Sequence, residues 1–103
     1  MRILEDFSGR KIRLTPERSA HIFSREEMIR QEEKIEETLK SPEIVRHSLR
    51  DENVHLYYKF YAKTPVGQKY LLVGVKVFNG EGFVITSFFT DRIKKGEVVW
   101  KKE

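Results

Sequence analysis

Three segments decide the fold: VHLYYKFYA at 54–62, KYLLVGVKVF at 69–78 and FVITSFFT at 83–90. In the first, Leu56, Tyr58 and Phe60 alternate with His55, Tyr57, Lys59 and Tyr61, the period of two that a half-buried strand needs. The second is apolar at nearly every position, as a strand covered on both faces is. Asn79-Gly80-Glu81-Gly82 is a tight hairpin turn into the third, because Asn-Gly readily takes the positive backbone angles of the favoured two-residue turns. A fourth strand is expected from Ile44 to Arg50, with Val45, His47 and Leu49 on one face and Arg46, Ser48 and Arg50 on the other. An edge strand is expected at Val98 to Trp100, after a basic loop or helical turn between Asp91 and Gly96.

Working outward, residues before Ile44 read as a hairpin and two helices. Ile3, Leu4 and Phe7 lead to the turn signal Ser8-Gly9-Arg10, and Ile12 and Leu14 alternate with Lys11 and Arg13 on the return. Thr15 is a capping hydroxyl before Pro16 and Glu17, so a short helix is expected to about Phe23. Ser24 with Glu27 reads as a capping box that opens a long helix to Lys40, its apolar stripe carried by Met28, Ile35 and Leu39. Ser41-Pro42 ends it. Helices followed by a run of strands make an α+β fold, an N-terminal hairpin and helices packed on one face of an antiparallel sheet of four or more strands. Residues 1–103 are read as one domain.

Composition narrows the chemistry. The chain of 103 residues has no cysteine, which removes thiolate, disulfide and cysteine-based zinc chemistry, and no pair of histidines stands at helical metal spacing. No cofactor or metal is expected. The longest apolar run, Tyr70 to Val75, is far short of a membrane span, so no membrane partner and a cytoplasmic location are expected. Between Ser24 and Glu43 seven acids face four bases, a local charge of −3, which leaves +7 on the other residues of a chain whose net charge is +4. An acidic helix opposite a basic remainder suits a polyanionic partner, RNA first, and equally suits a well-solvated helix.

If the helices cover Val45, Leu49, Leu56, Phe60 and the Leu71, Val73, Val75, Val77 row, the other face carries Arg46, Ser48, Arg50, Tyr57, Lys59, Tyr61, Lys76, Thr86 and Thr90. That surface is basic, aromatic and rich in hydroxyls. Lys94 and Lys95 add a phosphate-contact patch beside it, or an ordinary solvated loop.

This order of elements, with several local strings, resembles the phage-associated branch of the superfamily that groups barnase, EndoU, colicin and RelE-like nucleases. The strings are Leu14-Thr15-Pro16-Glu17-Arg18 leading to His21, Ser41-Pro42-Glu43-Ile44-Val45-Arg46, Leu56-Tyr57-Tyr58-Lys59, Gly82-Phe83-Val84-Ile85-Thr86 and Thr90-Asp91-Arg92-Ile93-Lys94. The resemblance implies a small metal-independent ribonuclease, toxin-like or phage-encoded, or a non-catalytic relative of the same fold that binds RNA or protein. An acidic inhibitor or antitoxin protein is then an expected partner.

Metal-independent RNA cleavage needs a base for the 2′-hydroxyl, an acid for the leaving oxygen and cations around the phosphorane. His21 matches the family's helix histidine and sits where the helix dipole favours its protonated form, although a histidine there also serves as a simple helix end. Arg46 suits bidentate phosphate contact, and equally suits an outward, solubilising role. Tyr57 and Lys59, two apart on one strand face, would meet one phosphate together, or form an aromatic pair beside a solvated lysine. Thr86 matches the family's last-strand hydroxyl and is also a common strand residue. The catalytic set expected is therefore His21, Arg46, Tyr57, Lys59 and Thr86, with Arg50, Lys76, Thr90, Lys94 and Lys95 binding the nucleic acid. His47 reads as a core or edge histidine, and His55 as exposed after a turn.

Overall fold

The computed structural model describes residues 1–103. Its strands are β1 (Arg2–Glu5), β2 (Lys11–Leu14), β3 (Ile44–His47), β4 (Val54–Tyr61), β5 (Lys69–Phe78), β6 (Glu81–Thr90) and β7 (Val98–Lys101); its helices are α1 (Pro16–Ile22) and α2 (Glu32–Lys40). All seven strands form one sheet in the order β1-β2-β6-β5-β4-β3-β7, antiparallel except where β2 runs parallel to β6. The α+β reading and the helices on one face are as expected. The sheet is larger than the central meander because the N-terminal hairpin joins it through Ile12 and Arg13 beside Gly82 and Phe83. No helix is long and apolar enough to cross a membrane.

Local chemistry explains the ends of the elements. The Thr15 hydroxyl accepts the Arg18 N–H at 3.2 Å and Pro16 begins α1, as its spacing requires. Asn79 and Gly80 both hold positive φ, 51° and 77°, the pair of angles that closes the β5–β6 hairpin with the right twist. The long helix expected from Ser24 is broken instead. The Ser24 hydroxyl donates to the His21 carbonyl at 2.7 Å, closing α1 rather than opening another helix. A single 3₁₀ turn at Glu26–Met28 follows, Arg30 takes φ 66°, and α2 starts at Glu32. The break reorients the chain, since α1 packs on β6 while α2 lies across β5, β1 and β4.

The main core lies between this helical layer and the sheet, and is built from Leu4, Ile12, Ile22, Met28, Ile35, Leu39, Val45, Leu71, Val73 and Val75, with Tyr57 among them. Of the residues expected beneath the helices, Leu49 lies beyond the end of β3 and is 77% exposed, and Phe60 is 41% exposed. Phe60 is exposed because β4 is turned over relative to the sequence reading. Tyr57 and Tyr61 face the helices, whereas Leu56 and Tyr58 belong to a second apolar cluster on the opposite face with Ile44, Val54 and Leu72. A tyrosine is a large apolar ring with one polar handle, and it fills a core when that handle finds a partner. Here the Tyr57 hydroxyl donates to Asp6 at 2.5 Å and the Tyr61 hydroxyl to Glu37 at 2.7 Å.

Asp6 is a hub. Its side chain is fully buried, and one carboxylate oxygen accepts the Ser8 N–H, the Ser8 hydroxyl and the Arg10 N–H at 2.7–3.0 Å while the other accepts Tyr57. Burial alone would raise its pKa, but the hydrogen bonds from Tyr57, Ser8 and Arg10 outweigh burial and hold the carboxyl below its ordinary value. A carboxyl lowered on folding stabilises the protein above its unfolded pKa of about 3.9, and that contribution is lost as pH falls through the lower folded value. Acid denaturation should therefore show a loss of stability below about pH 4 that Asp6→Asn flattens, with Asp6→Asn itself costing about 1 to 3 kcal/mol at neutral pH in a urea melt. Leu39→Ala, at a site with no exposure, should cost about 2 to 5 kcal/mol by the same measurement.

Candidate functional site

The connection from β6 to β7 creates the site. In the strand order, β6 and β7 stand four spacings apart, about 19 Å, so residues 91–97 must cross β5, β4 and β3 on the face the helices leave open. Seven extended residues reach about 25 Å, enough for a taut crossing and too little for a helix. The segment is accordingly an irregular strap. Ile93 packs on the second apolar cluster, the Lys94 N–H donates to the Tyr58 hydroxyl at 3.0 Å, and Arg46 donates to the Lys94 carbonyl at 3.0 Å. At the far end the His47 N–H donates to the Glu97 carbonyl at 2.9 Å. Gly96 passes so close to the His47 carbonyl that a Cβ would stand 2.1 Å from its oxygen, and only glycine fits there.

Between the strap and the β3–β4 turn lies an open cavity of about 690 Å³. Ser48, Arg50 and Asp51 form one wall, Lys94 and Lys95 the other, and Leu56, Ile85 and Thr86 the floor. Arg50, Lys94 and Lys95 are exposed. The one acid in the lining, Asp51, is paired with Lys76, and that pair holds the Asp51 carboxyl below its ordinary value through the Lys76 hydrogen bond. The cavity therefore keeps three unpaired cations. Along the edge of β6, Arg18 donates to the Ile85 carbonyl at 3.1 Å, and the Arg25 guanidinium and Lys94 ammonium stand 5.5 and 5.6 Å from the centre of the Phe88 ring.

The residues singled out in the sequence separate into three groups. Arg50, Thr86, Lys94 and Lys95 meet in the cavity, with Arg46 bracing the strap and Lys76 neutralising Asp51 at the rim. Thr90 lies on the same face but is occupied at the root of the strap, bonded to the backbone of Arg92. Tyr57 and Lys59 are on the wrong face. Tyr57 is 1% exposed in the core, and Lys59, opposite the buried Leu71, donates to the Ser41 carbonyl at 3.1 Å. The shared phosphate contact expected of them cannot form at the open face, because β4 presents its tyrosines to the helices. Burial raises the Tyr57 hydroxyl, and the bond to Asp6 raises it further, so this phenol keeps its proton.

His21 is exposed near the end of α1, three residues after the Arg18 that reaches β6 and thus on a neighbouring part of the helix surface. Arg18, Arg25 and Phe88 are not among the site residues expected from the sequence; the spacing of Arg18 and His21 within α1 is a local signal of a shared side, whereas Arg25 lies beyond the helix and its approach to Phe88 is set by the fold. No family model, curated protein or solved structure matches the chain.

The strap's geometry is testable. Gly96→Ala should detach it from β3, exposing Tyr58 and Ile93, so amide exchange at Lys94 should quicken while β5 amides stay protected.

Proposed function

We propose that the chain is an RNA-binding module, and that the strapped face of its sheet takes a single strand. The observation that supports this best is the cavity with its three unpaired cations, Arg50, Lys94 and Lys95, set against apolar and hydroxyl-bearing floor residues. Phosphate oxygens are met by cations and hydroxyls, and unstacked bases by exposed apolar and aromatic surface. The face offers both, since Phe88 lies beside the strap and Phe60 packs edge-on against Tyr70 at 5.5 Å. The acidic residues of α2 belong to the layer behind the sheet, away from the strapped face.

Three to five phosphate contacts give a slope of log K against log salt of roughly −2 to −4 for single strands. Lys95→Gln should flatten it by about 0.7, while Lys59→Gln, on the other face, should leave it unchanged. Equal effects of the two variants in a fluorescence-anisotropy titration would refute the assignment of the face.

Ribonuclease activity is the second reading, supported by one placement: His21 is exposed on α1, the helix that packs on β6, the strand that supplies Thr86 to the cavity. In this reading His21 carries the proton, Thr86 and the strap lysines hold the phosphate, and Tyr57 and Lys59 take no part. Cleavage in chelator that leaves a 2′,3′-cyclic phosphate, and that falls about 10² to 10⁴-fold in His21→Ala, is the expected outcome of this reading. RNA left intact by the wild-type chain at saturating protein leaves the binding module alone.

A further inference from the structure

A second cavity lies on the helical side of the sheet, at the opposite face from the strap. It encloses about 200 Å³ between the β1–β2 turn and strands β3, β4 and β7, lined by Ser8, Arg10, His55 and Tyr57 with Phe7 and Trp100 as its aromatic wall. The turn is fixed in place. Asp6 accepts four hydrogen bonds beneath it, the Phe7 N–H donates to the Leu39 carbonyl at 2.9 Å, and the Phe7 and Trp100 rings stack with centres 4.5 Å apart.

Two polar side chains facing this cavity have unused donors. The Arg10 side chain is 25% exposed, and its nearest charge is an Asp6 oxygen at 3.9 Å, beyond hydrogen-bonding distance. The Asp6 oxygen nearest the guanidinium accepts the Tyr57 hydroxyl, and the other accepts Ser8 twice and the Arg10 backbone N–H. His55 is half-buried, and its ring meets His47 edge-on at 5.1 Å, while His47 directs Nδ1 to the Glu52 carbonyl at 2.6 Å. The Arg10 side chain therefore lines the cavity with donors that no protein acceptor takes up, and an acceptor inside the cavity would meet them.

We propose that this cavity binds a small oxyanion of the phosphate class, held by the Arg10 fork and the His55 ring against the Phe7–Trp100 wall. The size agrees, since drug-sized ligands need pockets of about 300 Å³ or more and this one admits only a small group. The planar fork of arginine matches two oxygens of such an anion. The groups facing His55 are Arg10, His47, Asp6 and Tyr57. Burial lowers its pKa first, the charges of Arg10 and His47 lower it further, and Asp6 opposes them, so the empty cavity keeps the ring neutral. A bound dianion favours the imidazolium, and binding then takes up a proton and strengthens as pH falls.

The site reports on itself, because Trp100 is the chain's only tryptophan. The intact chain is titrated with sulfate, a tetrahedral oxyanion that stays a dianion throughout this range, at pH 6 and pH 8, following tryptophan emission and the thermal midpoint, which rises when a ligand binds only the folded state. The expected result is a saturable response in both, tighter at pH 6, lost in Arg10→Gln and reduced to a pH-independent remnant in His55→Gln. RNA affinity at the strapped face stays unchanged in both variants, so this site and the RNA reading fail separately. A wild-type chain with no saturable change in either signal overturns the proposal, as does an Arg10→Gln chain that titrates like the wild type. Should Arg10→Gln not fold, His55→Gln decides, and an unaltered strength and pH dependence in that variant overturns the site.

Discussion

The crossing of residues 91–97 over the open face governs most of what distinguishes this molecule. A β6–β7 connection that must cross three strands cannot stay at one edge of the sheet, and the face it crosses becomes half core, half cleft. Leu56, Tyr58 and Leu72 are buried because the strap lies on them, with Ile93 packed against the cluster from above. The polar backbone of the strap needs partners in turn, and Tyr58, Arg46 and His47 provide them. Lys94 and Lys95 then have no freedom to fold back, and their ammonium groups rise from a braced backbone at the cavity wall. Pre-positioned cations lose little freedom when a phosphate arrives, which favours affinity.

The two faces of the sheet follow different electrostatic logic. Behind the sheet, a buried carboxylate is satisfied four times over and ties the β1–β2 turn to Tyr57 of β4, beside an aromatic stack. In front, cations outnumber acids and the one acid is neutralised. A buried, fully bonded charge gives geometric definition rather than net stability, since desolvation offsets most of its Coulomb gain. Exposed cations do the reverse, contributing little to folding and much to the field a polyanion meets.

Much of this was legible in the residues, and the misreadings share one cause. β5 was apolar on both faces in sequence and is covered on both, and Asn79-Gly80 made its turn as the dipeptide requires. β4 was legible as a strand but not in orientation. With Leu56, Tyr58 and Phe60 on one side and Tyr57 and Tyr61 on the other, both sides can be buried, and only the strap and Asp6 decide which ring goes where. Asp6 and Tyr57 are 51 residues apart, and no local pattern announces their bond. Arg46, Arg50, Thr86, Lys94 and Lys95 were readable as candidates because strand alternation and loop charge are local properties, whereas Tyr57 and Lys59 depended on the orientation of β4. The Ser24 capping box failed for a related reason: its hydroxyl had a nearer acceptor at the end of α1.

The short parallel ladder between β2 and β6 has a kinetic side as well. The β3–β4–β5–β6 meander can form from neighbouring segments, each hairpin closing a short loop. Both flanks of the sheet depend on distant chain: β2 meets β6 some 70 residues later, at Ile12 beside Gly82, and β7 meets β3 across more than 50, at Ile44 beside Lys101. Such pairings bear their loop-closure entropy before any contact rewards them, so they belong to the slow part of the folding reaction. Until they form, both edges of the meander stand unpaired, and each is a template for another copy of the chain. During synthesis β7, the last strand to emerge, closes one of those edges, and the meander remains prone to association until it does.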